Sequence, residues 1–198
     1  QVNREVFSLL EQCRYYSDVT NGLFDITALP LVKMTSKRKY DSSCLKETGI
    51  DKIRELAGTD KMQLDVQKST VFLEKKGMQI DLGGIGKGIA LKNIEQILTN
   101  REVANAFISF GESSILAKGR HPYGDCWKIG IRHIEDDKQN VYSIELRDDS
   151  LSTSGNTSKE LREIVHPKTG GLPEKISTTS VVSKSPVDAE VLSTALLL

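Results

Sequence analysis

Glu190 and Thr194 stand four residues apart in "AEVLSTA", a stretch that Ala189, Leu192 and Ala195 mark as a helix. That spacing puts a carboxylate and a hydroxyl on one helix face, and hard oxygens of this kind suit Mg²⁺ or Ca²⁺. Two oxygens do not complete a site. The plain alternative is an acid that favours the positive end of the helix dipole, beside a solvent-facing threonine. "DLGGIGKG", Asp81 to Gly88, runs from a strand pattern into a helical one. Its small residues let backbone N–H groups approach an anion at a helix start, and Lys87 adds positive charge. The motif is not a P-loop, because Asp81 takes the first glycine position and Gly88 follows the lysine. Nor is it the dinucleotide fingerprint, since Ile89 replaces the third glycine. A tight turn followed by a glycine-packed helix start is the competing reading.

Three further segments carry polar groups. "LSTSGN", Leu151 to Asn156, offers three hydroxyls and a glycine, suited to a phosphate or a flavin edge. Such clusters are usually turns, because these side chains compete with the backbone for hydrogen bonds. "VHPKTGG" joins His166 to a Pro-Lys-Thr-Gly turn, where a histidine is more often structural than catalytic. "FGES" places Glu112 directly after an apolar strand, an unusual place for a carboxylate unless it is paired or binds a ligand.

The elements that must position these groups follow from periodicity. Val6, Leu9, Leu10, Cys13 and Tyr16 predict a helix over 3–17. Asn21 and Gly22 suit a turn with positive φ, after which Phe24 re-enters the core. "KMTSKRKYDSS", with Lys33, Lys37, Arg38 and Lys39, reads as a solvated loop. Leu45, Ile50, Ile53 and Leu56 suggest a second helix, stopped by Gly58. "MQLDV", "TVFLE" and "MQIDL" read as strands, with a hairpin turn at Lys75, Lys76 and Gly77 between the last two. A helix on Ile89, Ile94, Ile97 and Leu98 follows. Strands at "NAFISF", "SILAKG", "WKIGIRHI", "VYSIELR" and "STTSVVS" come next, and a helix closes the chain. The expected class is α+β, a mostly antiparallel sheet with flanking helices.

The 198 residues fit one domain over 1–198, or two halves sharing a core. Lys+Arg 27 balance Asp+Glu 27, which removes the basic footprint of a nucleic-acid binder. No apolar run reaches membrane-spanning length. Cys13, Cys44 and Cys126 form no CxxC pair, which argues against a zinc or thioredoxin-like site. The chain opens directly in a helix pattern and stops inside "VLSTALLL", so truncation at both ends is expected.

Taken together, "YYSDVTNGLFDITALPL", "MQIDLGGIGKG", "NAFISFGES", "STSG", "HPKTGG" and "AEVLSTAL" resemble, in order, the motifs of the ApbE-type FAD:protein FMN transferases. The resemblance implies an ApbE-like fold and a Mg²⁺-dependent transferase that binds FAD as substrate. It would move the FMN half onto a Thr or Ser hydroxyl of an acceptor flavoprotein and release AMP. It also implies a cell-envelope location through a lipid anchor outside this chain. By motif position, the Gly84 carbonyl with Glu190 and Thr194 would hold the metal. Phe24, Asp25, Lys87, Glu112, Thr153, Ser154, Gly155, Thr169 and Gly170 would line the FAD site, and Glu163 and His166 are the candidates for catalysis.

The chain departs from the family pattern near the chemistry. Glu190 replaces an aspartate, Glu163 stands where the motif usually reading His-Ile-Ile-Asp-Pro begins, and His166 precedes its proline. Phe110 and Glu112 alter a Gly-Gly-Asp sequence. Glu163 and His166 are three apart in an extended stretch, so their side chains point to opposite faces and one of them at most reaches the phosphorus. Glu163 is the one expected in the site, with weak transfer as the consequence. An FAD pyrophosphatase giving FMN and AMP, and a non-catalytic FAD-binding module, are the alternatives.

Overall fold

Asn3 has extended backbone, and its Oδ1 accepts a 2.8 Å hydrogen bond from the Val6 N–H, which satisfies one unpaired donor of the helix that follows. That helix, α1 (Arg4–Val19), buries Phe7, Leu10, Cys13 and Tyr16. Of the expected face, Leu10, Cys13 and Tyr16 are buried and Leu9 half-buried, whereas Val6 is exposed and Phe7 is buried in its stead. Asn21 and Gly22 then turn the chain with φ of 51° and 73°. The structure, a computed structural model, describes residues 1–38, 48–133, 139–156, 164–173 and 176–198. They divide into two compact units, one within 1–82 and 158–174 plus Leu198, the other within 83–157 and 175–197.

In the first unit, α2 (Leu29–Arg38) replaces the expected loop around Lys33. Pro30 lies in its first turn, where no N–H is needed. Leu31, Met34 and Thr35 are buried while Lys33 is exposed, so the basic residue decorates the outer face of an amphipathic helix. Of Lys37 and Arg38 only the helical backbone is described; Lys39 and Leu45 lie outside the described residues. Helix α3 (Thr48–Arg54) is shorter than its apolar spacing suggests. Leu31, Met34, Ala57 and Val165 form the core, with Ile50, Ile53 and Leu172 against it. The hairpin joins β1 (Met62–Asp65) to β2 (Thr70–Leu73), and "MQIDL" pairs with neither.

The second unit carries α4 (Gly86–Asn100), β3 (Ala106–Phe110), β4 (Ser114–Lys118), β5 (Trp127–Arg132), β6 (Asn140–Leu146), β7 (Asp149–Asn156), β8 (Ser177–Ser183) and α5 (Pro186–Ala195). Four strands form an antiparallel sheet in the order β3-β4-β7-β8, while β5 and β6 form a separate hairpin. The expected turn at "LSTSGN" is therefore part of strand β7, paired with β8 throughout and with β4 as well at Leu151 and Ser152. Alternation then divides its side chains. Leu151 joins Ile115, Ala117 and Leu146 in a core closed by Trp127, Ile129, Ile131 and Ile144. Ser152 and Ser154 face the opposite way, toward α5.

Candidate functional site

Ser185 caps α5, accepting a 3.2 Å bond from the Asp188 N–H, and Pro186 takes the first helical position. One turn later stands Glu190, its side chain only 5% exposed. Its Oε2 accepts hydrogen bonds from Ser114 Oγ and, at 3.2 Å, from Ser152 Oγ. Its Oε1 lies 3.1 Å from the Lys87 ammonium, which also donates to Ser113 Oγ at 3.0 Å. A carboxylate taken out of water needs such company. Ser193 Oγ donates to the Glu190 carbonyl at 3.0 Å and shares hydrogen bonds with Ser152 and Ser154 at 3.0 and 2.8 Å. Thr194 Oγ1 donates to the same carbonyl and shares a bond with Ser154, both at 3.3 Å. The fold thus brings Lys87, Ser154, Glu190 and Thr194 together. It adds Ser152, one of the "LSTSGN" hydroxyls, and Ser113, Ser114 and Ser193, which the sequence reading missed. Ser114 opposes Ser152 across β4 and β7, and only the strand register reveals that pairing.

Helix α4 delivers Lys87 because Gly88 permits close approach. A Cβ there would fall 2.8 Å from the Pro186 carbonyl oxygen, 2.9 Å from Val187 Cα and 3.0 Å from Glu190 Cβ. The "GGIGKG" run is therefore a glycine-packed helix start that sets a lysine beside a buried carboxylate. Gly84 lies in the turn before α4. Ile85 at the N-cap supplies no side-chain bond to the first N–H groups, which leaves that end suited to an anion.

Among the described residues, no group of three or more His, Cys, Asp or Glu side chains is arranged for a metal. The available set is one carboxylate with neutral oxygens. That chemistry fits a hard ion such as Mg²⁺ or Ca²⁺ and does not fit zinc. The ammonium on Oε1 already occupies the place of a cation, so the residues present fit a divalent ion.

Thr153 and Glu112 lie elsewhere in the second unit. They line a groove of about 620 Å³ with Phe107, Ile129, Arg132 and Leu151. Thr153 shares a 2.8 Å bond with Ser180. Glu112, with φ of 64°, is 75% exposed and pairs with Arg132 at 3.0 Å, so its carboxylate is paired rather than buried. Gly155 is half-buried within β7, opposite Thr178.

The first unit holds the other candidates. Asp25 Oδ1 accepts from the Thr27 N–H at 2.7 Å and from Thr27 Oγ1 at 2.6 Å. Thr27, fully buried, in turn accepts from the Gly58 N–H at 2.7 Å. Asp25 lines a cavity of about 730 Å³ with Asn21, Gly58, Thr59, Lys61 and Lys168. Lys168, which sequence reasoning did not single out, donates to Asn21 Oδ1 at 3.2 Å. Phe24 is 4% exposed and packs edge-on against Tyr16, so its ring belongs to the core. His166 is tied into a turn. Its Nδ1 accepts from the Lys168 N–H at 3.2 Å, its N–H donates to the Gly171 carbonyl, and its carbonyl accepts from the Gly170 N–H. Thr169 is exposed and accepts from the Gly171 N–H at 3.2 Å. Gly170 has φ of 70°, and a Cβ there would sit 3.2 Å from both Ile50 and Leu31, in apolar core. Glu163 lies outside the described residues.

The chain is 27% identical over 204 residues to a Klebsiella pneumoniae protein named FAD:protein FMN transferase, covering 98% of the chain and 62% of the relative. It is also 27% identical over 220 residues to a Treponema pallidum protein of the same name, covering 98% of the chain and 59% of that protein. The chain thus spans about three fifths of the length of these relatives. The crystal structure of an ApbE protein from Thermotoga maritima superposes with a TM-score of 0.85 at 26% identity, covering all of this chain and 66% of that one. The α+β architecture is that of the ApbE structures. With the ApbE family model matching residues 1–198 as well, the chain belongs to the ApbE family.

Proposed function

We propose that the protein is an FAD:protein FMN transferase that uses a Mg²⁺ or Ca²⁺ ion held by Glu190, Thr194 and the Gly84 carbonyl. The observation that carries this reading is the buried Glu190 carboxylate, gripped by serine hydroxyls on one oxygen and facing an ammonium with the other. Phosphoryl transfer needs positioning and charge stabilisation more than covalent help from the protein. A bound divalent ion supplies charge neutralisation on the pyrophosphate. Lys87 donates hydrogen bonds to non-bridging phosphate oxygens, and the groove with Thr153 and Glu112 offers polar groups to a flavin edge. The acceptor hydroxyl oxygen forms a bond to the phosphorus of the FMN half while the bond from that phosphorus to the bridging oxygen breaks. AMP leaves with the bridging oxygen, and the hydroxyl proton passes to a base, for which Glu163 stands at the family's position.

The turn bonds of His166 support its structural role and favour Glu163 over it. The acceptor is a flavoprotein with a target Thr or Ser, and the full-length protein belongs at the cell envelope. Among the described residues no helix is long and apolar enough to cross a membrane. Incubation with FAD, Mg²⁺ and a candidate acceptor tests the proposal. Fluorescent flavin bound covalently to acceptor, with stoichiometric AMP, is the expected result. Free FMN with AMP would replace the reading by a pyrophosphatase. Intact bound FAD would leave a flavin-binding module.

A further inference from the structure

The two oxygens of Glu190 keep different company. Oε2 is fixed by Ser114 and Ser152 from two neighbouring strands, whereas Oε1 meets Lys87 at 3.1 Å. Glu190 is 5% exposed, yet the Lys87 side chain is 42% exposed and sits on a flexible four-carbon stem in the first turn of α4. The carboxylate cannot leave, but its cation can.

We propose that Lys87 is an exchangeable counter-ion of Glu190, which neutralises the buried carboxylate in the absence of a divalent ion and is released toward ligand phosphates when one binds. The inference rests on the reading that Glu190 and Thr194 hold a divalent ion. An ammonium and a divalent ion on the same oxygen repel each other, so the arriving ion moves Nζ away. The serine bonds to Oε2 hold the carboxylate still during this exchange. Without a nucleotide, the ion must break an ion pair and leaves Lys87 with Ser113 and water alone. With FAD present, the displaced ammonium gains phosphate oxygens. Metal and FAD therefore tighten each other, and by linkage the factor is the same in both directions.

Amine acylation of the unaltered protein, read at Lys87 by mass spectrometry, follows the ammonium directly, and calorimetry in parallel records Mg²⁺ binding. Mg²⁺ alone should raise Lys87 labelling about tenfold, and FAD added with Mg²⁺ should suppress it again, within the usual range of couplings between sites. Lys87→Met should bind Mg²⁺ about tenfold more tightly without FAD and lose most of the enhancement that FAD gives the unaltered protein. If the unaltered protein takes Mg²⁺ only with FAD, Lys87→Met must take it alone. Bound Mg²⁺ with unchanged Lys87 labelling, or an undiminished FAD enhancement in Lys87→Met, would overturn the exchange. Absence of Mg²⁺ binding in every arm would instead remove the metal reading, and the exchange with it. The labelling arm needs no variant, so a poorly folding Lys87→Met leaves the inference exposed to refutation.

Discussion

Two glycines in one helix turn should respond to the same substitution with opposite signs. Ala is normally better than Gly in a helix by about 1 kcal/mol. At Gly86 a Cβ meets nothing within 4 Å, so Gly86→Ala should gain about 0.5–1 kcal/mol. At Gly88 the added carbon would meet the Pro186 carbonyl oxygen at 2.8 Å and Val187 Cα at 2.9 Å. Both are backbone atoms and have no rotamer to escape into, so α4 and α5 must move apart. Overpacking of this kind costs about 1–3 kcal/mol, and the backbone contacts place Gly88→Ala in the upper part of that range. Net of the helix gain, it should lose about 1–2 kcal/mol. The two variants then differ by about 2 kcal/mol, which separates their urea midpoints by roughly 1 M at ordinary slopes. Because Glu190 Cβ is the third contact, at 3.0 Å, the strain also reaches the carboxylate, so Gly88→Ala should lose the effect of Mg²⁺ on FAD binding while Gly86→Ala keeps it. A Gly88→Ala midpoint at or above that of the unaltered protein would refute this account of the helix contact.

Glu190→Ala and Thr194→Ala should each remove most of the Mg²⁺ enhancement of FAD binding in calorimetry; retention by both would move the metal away from this helix face. Glu190→Asp retracts the carboxylate by about 1 Å from Ser114 and Ser152 and should weaken Mg²⁺ binding about tenfold, with equal or better affinity as the contrary result. Glu163→His should raise transfer of flavin to an acceptor and His166→Ala should leave it unchanged, read as in-gel flavin fluorescence; loss on His166→Ala would restore the histidine as base. Burial pushes the Cys13 thiol from 9.0 up to about 12, so iodoacetamide at pH 8 should label it only after unfolding in urea. Since the folded value lies above the unfolded one, its contribution to stability is complete below pH 9 and is lost as pH rises toward 12, which base titration of the urea midpoint checks.

The parts of the fold that sequence predicts well are those whose signal is local. Helix α1 carries five apolar residues at helical spacing and an asparagine cap, and all of this is contained in its own residues. Helix α2 escaped because its buried positions, Leu31, Met34 and Thr35, straddle the start of a basic run that draws the eye to solvent. The hairpin was displaced by one strand for a similar reason. "KKG" carries the glycine expected of a turn, and Gly77 does turn the chain with φ of 102°. The actual β1–β2 connection instead uses Ser69 at φ of 48°, a residue that advertises no such turn. Strand β7 is the clearest case of tertiary override. Ser150, Ser152, Thr153 and Ser154 favour local hydrogen bonds, yet pairing with β8 at all four, and with β4 at Ser150 and Ser152, outweighs that preference.

The candidate site divides along the same line. Lys87, Glu190 and Thr194 are legible because a helix start or an i, i+4 face places them by local geometry. The hydroxyls that hold Glu190 are not, since Ser114 and Ser152 are 38 residues apart and meet through strand register alone. Alternation in "SLSTSG" carries the missing hint: if the segment is a strand, three serines share one face and must find polar partners once that face is covered. The helix that covers it brings one carboxylate, which Ser152 meets directly and Ser154 through Ser193, while Ser150 Oγ stays buried with no hydrogen-bond partner among the described residues. This changes the meaning of glutamate at a position where the family pattern has aspartate. Read alone, the extra methylene looks like a misplaced ligand. With Oε2 anchored by two strands, the longer side chain has a fixed end, and its other oxygen is delivered to the Lys87 ammonium that α4 presents.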